Sequence, residues 1–178
     1  PLGGGLSSSA AIESATALAL DDLHDLGLSP EQLARVAQEC ENDFLGIPTG
    51  PMDQRASLWC REDHALLLDC RTLDATQIPS ALPDGLTLAL IDTRSPHVLA
   101  DGHYGARRAA CADAARTLGV RALRDVPFEE LPSALQRLGD DEQRRRVRHV
   151  VTENARVLAA VDALRAGDWT AFGVLMTQ

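Results

Sequence analysis

The chain reads Gly3-Gly4-Gly5-Leu6-Ser7-Ser8-Ser9 near its start, and an alanine-rich segment follows directly. Glycine permits a left-handed backbone and close approach of a ligand. The first N–H groups of a helix lack internal partners and lie at its positive end. The segment therefore predicts a phosphate-binding loop that opens a helix, with a flexible Gly/Ser linker as the alternative. In that helix an apolar face is formed by Ile12, Ala15, Ala19 and Leu23.

Composition and charge limit the classes of protein to which the chain can belong. The length of 178 residues suits one large or two small domains. The formal net charge of −9 disfavours nucleic acid as the main partner, and no apolar run is long enough to span a membrane. Four widely spaced cysteines predict reduced thiols in a cytosolic protein. Because the chain lacks an initiator methionine and opens inside the glycine–serine motif, we expect an internal fragment of a longer protein.

Helices and strands are predicted from periodicity and from turn residues. The first helix should end near Asp25, with Gly27 beyond it. Ser29 and Gln32 have capping-box spacing at the start of a second helix, whose apolar face holds Leu33, Val36 and Ala37. The remaining strand predictions are a buried strand at 64–69 with a partner at 75–78, and an apolar strand at 86–92 after a Pro83–Gly85 turn. Further helices are predicted over 52–59, at about 104–118, 129–138 and 141–165, and from 168.

A loop rich in glycine and proline, Gly46-Ile47-Pro48-Thr49-Gly50-Pro51-Met52-Asp53-Gln54, contains one candidate carboxylate and follows another. Asp53 could accept the proton of an attacking hydroxyl in phosphoryl transfer, or it could merely cap the helix that follows. Glu41, before the loop, could join a serine hydroxyl in holding Mg²⁺ through oxygen ligands. The alternative is a solvated glutamate, and Asp43 is an equal candidate by charge.

Two further segments carry charge or aromatic character. Tyr104 stands close to Arg107 and Arg108 on a predicted helix. The tyrosine could offer its ring or its hydroxyl to a sugar, or it could simply pack at the helix start beside solvated arginines. The basic run over 144–148 is interpreted as a solvated helix face.

Taken together, these segments resemble the galactokinase family of the GHMP kinase superfamily. Residues 1–10 look like its ATP-phosphate loop. Residues 46–54 look like the segment that carries its catalytic aspartate, with Thr49 where cysteine is common. Residues 97–108 are similar to a stretch that touches the sugar, and residues 148–157 to a helix typical of the family. The resemblance runs along nearly all of the chain in the same order.

The resemblance implies an α/β (α+β) fold of the GHMP kinase type. Residues 1–82 would belong to an N-terminal part like ribosomal-protein S5 domain 2, and residues 83–178 to a helix-rich C-terminal part. The implied reaction converts ATP and α-D-galactose into galactose 1-phosphate and ADP. ATP and Mg²⁺ would be the cofactors and galactose the small-molecule partner of a cytoplasmic monomer that binds neither nucleic acid nor membrane.

The same resemblance assigns roles residue by residue. Asp53 would be the catalytic base or charge partner and would contact the sugar, together with Gly50 and Tyr104. Ser8 and Glu41 would bind Mg²⁺. The ATP phosphates would be held by Gly3, Gly4, Gly5, Leu6, Ser7, Ser8 and Ser9.

The sugar substrate stays open, because the first and third family signatures are absent from the 178 residues. For the same reason we expect this fragment alone to be inactive. A kinase for N-acetylgalactosamine or arabinose and a catalytically silent galactose-sensing regulator remain as alternatives, although the intact serine-rich loop favours the enzyme.

Overall fold

The computed structural model describes residues 5–91 and 103–178, with side chains in the second range from Gly105 onward. The chain divides into two compact units, Pro1–Ala100 and Asp101–Gln178. The boundary that the resemblance implies between residues 82 and 83 lies inside the first unit and stays a prediction.

The described part of the first unit contains three α-helices that pack against one another and a β-hairpin. Its elements are α1 (Ser8–His24), α2 (Pro30–Glu39), a π-helical turn (Cys40–Phe44), α3 (Met52–Trp59), β1 (His64–Leu68) and β2 (Ala75–Pro79). The strands are antiparallel, with His64 opposite Pro79 and Leu68 opposite Ala75. These bounds confirm the predicted helices and the hairpin.

The start of α2 shows the predicted capping box. The Gln32 N–H donates to Ser29 Oγ at 3.2 Å, and the Ser29 N–H donates to Gln32 Oε1 at 2.8 Å. Pro30 stands at the first helical position, where its missing N–H costs nothing. This reciprocal cap fixes where α2 begins and therefore which of its faces packs inward.

The apolar faces predicted for α1 and α2 differ from the buried ones. In α1, Ile12 is 59% exposed and Leu23 is 74% exposed, whereas Ala10 and Ser14 are buried. The helix packs through these small side chains, which let the helix backbones come close. In α2 the buried residues are Leu33, Ala34 and Ala37, and Val36 faces solvent.

Two strand predictions are also corrected. Strand β1 is half-buried rather than buried, because it belongs to a sheet of only two strands among the described residues. The Pro83–Gly85 turn forms, with the Leu86 N–H donating to Pro83 O at 3.1 Å. Residues 86–91, however, form no strand and expose their large apolar side chains, since no described strand pairs with them. Asp92 lies outside the described residues.

The second unit is helical around one apolar cluster. Its elements are α4 (His103–Leu118), two 3-10 turns (Leu123–Asp125 and Phe128–Glu130), α5 (Leu131–Gln136), α6 (Asp141–Arg165) and α7 (Trp169–Met176). The helix predicted over 129–138 is split, because Pro132 is accommodated only in the first turn of a helix. The core side chains include Leu118, Leu138 and Val147.

The basic run of α6 does more than face solvent. Arg144 donates to the Leu135 and Leu138 carbonyl oxygens at 3.4 and 2.5 Å, and so it caps the end of α5. Throughout residues 5–91 and 103–178, no helix combines the length and hydropathy needed to cross a bilayer.

Candidate active site

The described part of the glycine–serine segment turns into α1 through left-handed backbone. Gly5 has φ 71°, and Ser7, at the N-cap of α1, has φ 53°. Ser7 makes no side-chain cap, so its hydroxyl does not occupy the first-turn amides. Leu6 is exposed, and Ser8 and Ser9 are half-buried in the first turn. Gly3 and Gly4 lie outside the described residues.

Glu41 is the centre of a buried polar network in the first unit. Its side chain is only 4% exposed, so it is not the solvated glutamate that was the alternative. One carboxylate oxygen accepts from Ser9 Oγ at 2.6 Å, and the other accepts from Thr49 Oγ1 at 2.7 Å and from Gln54 Nε2 at 3.0 Å. A buried carboxylate needs such donors to offset its desolvation. Glu41 therefore joins α1, the glycine–proline loop and α3.

The local backbone explains why Glu41, and not Asp43, is inside. The widened π-helical turn over Cys40–Phe44 follows α2 directly, and within it Glu41 is buried while Asp43 is exposed. The chain then reverses at Gly46, which has φ 69°, and the Ile47 N–H donates to Glu41 O at 2.9 Å. This reversal brings Thr49 back over the carboxylate. Single-turn π-helical insertions are frequent at functional sites.

A second carboxylate, Glu13 of α1, lies beside the network. Gln54 Nε2 donates to Glu13 Oε2 at 3.4 Å as well as to Glu41. Partial burial, and next the negative charge of Glu41, raise the pKa of Glu13, while the Gln54 amide partly opposes the shift. Among the described residues, the buried atoms Gln54 Oε1 and Ser14 Oγ have no hydrogen-bond partner. The region is therefore polar, negatively charged and incompletely satisfied.

Asp53 stands in the first turn of α3 and is half-buried. The N-cap of this helix is Pro51, so Asp53 is not the cap that was the alternative. Its carboxylate forms no hydrogen bond or ion pair with the described residues. The next two side chains, Gln54 and Arg55, are buried and hydrogen-bonded. Arg55 donates to Pro51 O at 3.1 Å and to Gln38 Oε1 at 3.3 Å, and stacks 5.4 Å from the Trp59 ring. The turn is anchored while its carboxylate is left unbonded.

Gly50, a predicted sugar contact, lies exposed in the loop. Its φ is outside the left-handed region, and a Cβ built on it would meet no atom within 4 Å. Neither the turn nor the packing of the described residues requires glycine there. The Tyr104 side chain, the other predicted sugar contact, lies outside the described side chains, as does the stretch 97–102.

The arrangement unites some of the predicted residues and adds others. The serine that contacts Glu41 is Ser9, whereas the resemblance implies Ser8 as its partner in binding Mg²⁺. Thr49, Gln54, Arg55 and Glu13 were not predicted as site residues. Thr49 and Gln54 lie within the quoted loop segment, and their nearness to Asp53 was the available signal. No local pattern marks Arg55 or Glu13.

The oxygen atoms of the serines at the start of α1 and of Glu41 are of the chemical type that binds magnesium. Serine hydroxyl and glutamate carboxylate oxygens are hard ligands, and Mg²⁺ commonly binds one or two carboxylates together with phosphate oxygens and water. In the part of the chain that the structure describes, no group of three or more His, Cys, Asp or Glu side chains could hold a metal. One serine hydroxyl and one carboxylate are protein ligands of the kind that Mg²⁺ uses when phosphate oxygens and water supply the others.

Comparison with known proteins places the geometry in a family context. Residues 1–61 match the family described as the GHMP kinases N terminal domain. The chain is 52% identical over 180 residues to a galactokinase of Streptomyces coelicolor and 50% identical to a galactokinase of Streptomyces lividans. All of this chain is matched, but only 46% and 45% of those proteins. The chain thus spans about half the length of the curated relatives it matches.

A solved structure shows the same fold. The crystal structure of Lactococcus lactis galactokinase complexed with galactose superimposes with a TM-score of 0.85 at 32% sequence identity. The match covers 98% of this chain and 46% of that chain. The likeness therefore extends over both compact units.

Proposed function

We propose that the full-length protein is a galactokinase of the GHMP kinase family, because residues 1–61 match the GHMP kinases N terminal domain and the whole chain is similar to galactokinases. It transfers the terminal phosphoryl group of ATP to the anomeric hydroxyl of α-D-galactose. The observation that carries the proposal is the buried Glu41 carboxylate, which bonds both Ser9 at the glycine–serine segment and Thr49 and Gln54 beside Asp53. The two halves of a phosphoryl-transfer site are thereby linked.

The ATP phosphates bind at the segment from Gly3 to Ser9 in this proposal. Left-handed backbone at Gly5 and Ser7 and the positive end of α1 support anion binding there. Ser8 and Glu41 would hold Mg²⁺, which would neutralise charge on the transferring phosphate. The nearness of Ser9 and Glu41 supports a metal position beside the first turn of α1.

Asp53 accepts the proton of the galactose C1 hydroxyl. The oxygen of that hydroxyl bonds to the terminal phosphorus of ATP as ADP leaves. The Asp53 carboxylate is half-buried and unbonded to the described residues, and so it is available to a substrate hydroxyl. Gln54 and Arg55 hold the turn that carries it. Gly50 leaves room for the sugar to approach the backbone, and Tyr104 stays a predicted sugar contact.

We propose a cytoplasmic setting, and the state of the cysteines supports it. All four cysteines carry free thiols, which supports a reducing, cytoplasmic location. The partner is a small sugar, in keeping with an acidic chain.

A sugar panel on the full-length protein tests the proposal. Galactose, N-acetylgalactosamine and arabinose are each supplied with ATP and Mg²⁺, and sugar binding, ADP release and the phosphorylated carbon are measured. We expect turnover with galactose and a product phosphorylated at C1. Preference for another sugar would reassign the substrate. Galactose binding without ADP release would instead identify a silent sensor.

A further inference from the structure

Thr49 and Gln54, on either side of Asp53 in the chain, both donate hydrogen bonds to the carboxylate of Glu41. Thr49 precedes Asp53 in the loop and donates to Glu41 Oε2 at 2.7 Å. Gln54 follows Asp53 directly and donates to the same oxygen at 3.0 Å. The segment that carries Asp53 is therefore held on both sides by Glu41.

The other oxygen of Glu41 carries the constraint to the phosphate side. Ser9 Oγ, in the first turn of α1, donates to Glu41 Oε1 at 2.6 Å across 32 positions of sequence. Hydrogen bonds to an ionised acceptor at such distances are short and strong, and burial strengthens them further. One carboxylate thus sets the spacing between the start of α1 and the start of α3.

The hydrogen-bonding groups in this network have little freedom to rearrange. The Gln54 side chain is fully buried, and its NH₂ group faces two carboxylates, Glu13 and Glu41. Turning the amide over would place its oxygen against both carboxylates, which is unfavourable. Thr49 has one hydroxyl proton for two acceptors, at 2.7 Å on Glu41 and 3.2 Å on Asn42 Oδ1. The shorter, charged contact takes that proton.

We propose that Thr49 and Gln54 are positioning residues, which fix the distance between the phosphate groups bound at α1 and the Asp53 carboxylate. The inference rests on the proposed kinase function. It assigns the hydroxyl of Thr49, at the position where the family commonly has cysteine, a role in alignment. A displacement of about 1 Å at such a site can lower turnover by about a hundredfold.

The test compares three variants of the full-length protein. Thr49→Val keeps the shape and removes the hydroxyl, and Thr49→Ser restores it. Thr72→Val is the matched control, because Thr72 Oγ1 also donates to a carboxylate at 2.7 Å, that of Asp74, in an exposed turn. Steady-state kinetics are measured well below the unfolding temperature. Hydrogen exchange of the bonded amides of residues 11–14 in α1, of which the Ala11 N–H donates to Ser7 O at 3.1 Å, is followed in the absence of substrates.

We expect Thr49→Val to lower kcat by about tenfold or more, with the KM values for ATP and galactose changed by less than about threefold. Thr49→Ser should recover most of the loss, and Thr72→Val should match the wild type. Exchange of the bonded amides of residues 11–14 should accelerate in Thr49→Val alone. A lower unfolding temperature with unchanged kcat, or unchanged exchange at α1, would overturn the inference. A wild type without sugar phosphorylation would refute the proposed function, and exchange at α1 would still decide whether Thr49 couples the two segments.

Discussion

Exchanging Gly50 for alanine should move stability and sugar binding in opposite directions. Its φ lies outside the left-handed region, and the new Cβ would meet no described atom within 4 Å. The folded chain therefore tolerates the methyl group, while the unfolded chain loses conformational freedom. Such a change stabilises a protein by about 0.4–1 kcal/mol. The unfolding midpoint of Gly50→Ala should be equal to or slightly above that of the wild type.

The sugar pocket should respond in the other direction. If galactose approaches the Gly50 backbone, a methyl group occupies space that the sugar needs. A loss of about 1.4 kcal/mol of binding free energy corresponds to about a tenfold rise in KM. We expect at least this rise in the KM for galactose, with the KM for ATP close to that of the wild type.

Gly46 in the same loop supplies the matched control. Its φ of 69° places it in the left-handed region, where a side chain costs about 1–2 kcal/mol. Gly46→Ala should therefore lower the unfolding midpoint. Thermal unfolding and a galactose titration of both variants decide the matter. An unchanged galactose KM in Gly50→Ala would refute the reasoning that this glycine is kept for the sugar.

Two further predictions concern charge and chain length. Glu13→Gln should stabilise the protein at pH 7–8 by about 0.5 kcal/mol, because burial and Glu41 raise the pKa of Glu13 in the folded state. The Glu13 carboxyl contributes fully to stability only below its pKa in the unfolded chain. This contribution is lost as the pH rises through the higher pKa that Glu13 has in the folded chain. The stability gained by Glu13→Gln should therefore vanish near pH 4. Unfolding midpoints across pH measure it, and a gain that persists in acid would contradict the cause assigned. Residues 1–178 alone should release no galactose-dependent ADP, and measurable release would show that this half carries a complete site.

Much of the fold could be predicted from local signals. The capping box at Ser29 and the Pro83–Gly85 turn each depend on residues within a few positions, and both form. The α/β class of the GHMP kinases was predicted correctly from four motifs in register. The buried face of α1 could not be predicted in this way, because small residues such as Ala10 and Ser14 give a weak hydrophobic signal.

The site residues were harder to predict from the sequence than the helices and turns. Charge alone did not separate Glu41 from Asp43, and the π-helical turn that buries only Glu41 has no propensity signature. The partners Ser9 and Thr49 reach Glu41 across 32 and 8 positions, so their contacts depend on helix packing and on the loop reversal. The buried role of Arg55 arises in the same way, since its acceptors belong to α2 and the loop.

The central claim is that Asp53 is the catalytic carboxylate of a galactose kinase, and Asp53→Asn in the full-length protein tests it most directly. Asp43→Asn is the control, since Asp43 is exposed beside the same network. Galactose-dependent ADP release is measured at saturating ATP and Mg²⁺. The account predicts a fall in kcat of about a hundredfold or more for Asp53→Asn and wild-type turnover for Asp43→Asn. Undiminished turnover in Asp53→Asn would contradict it.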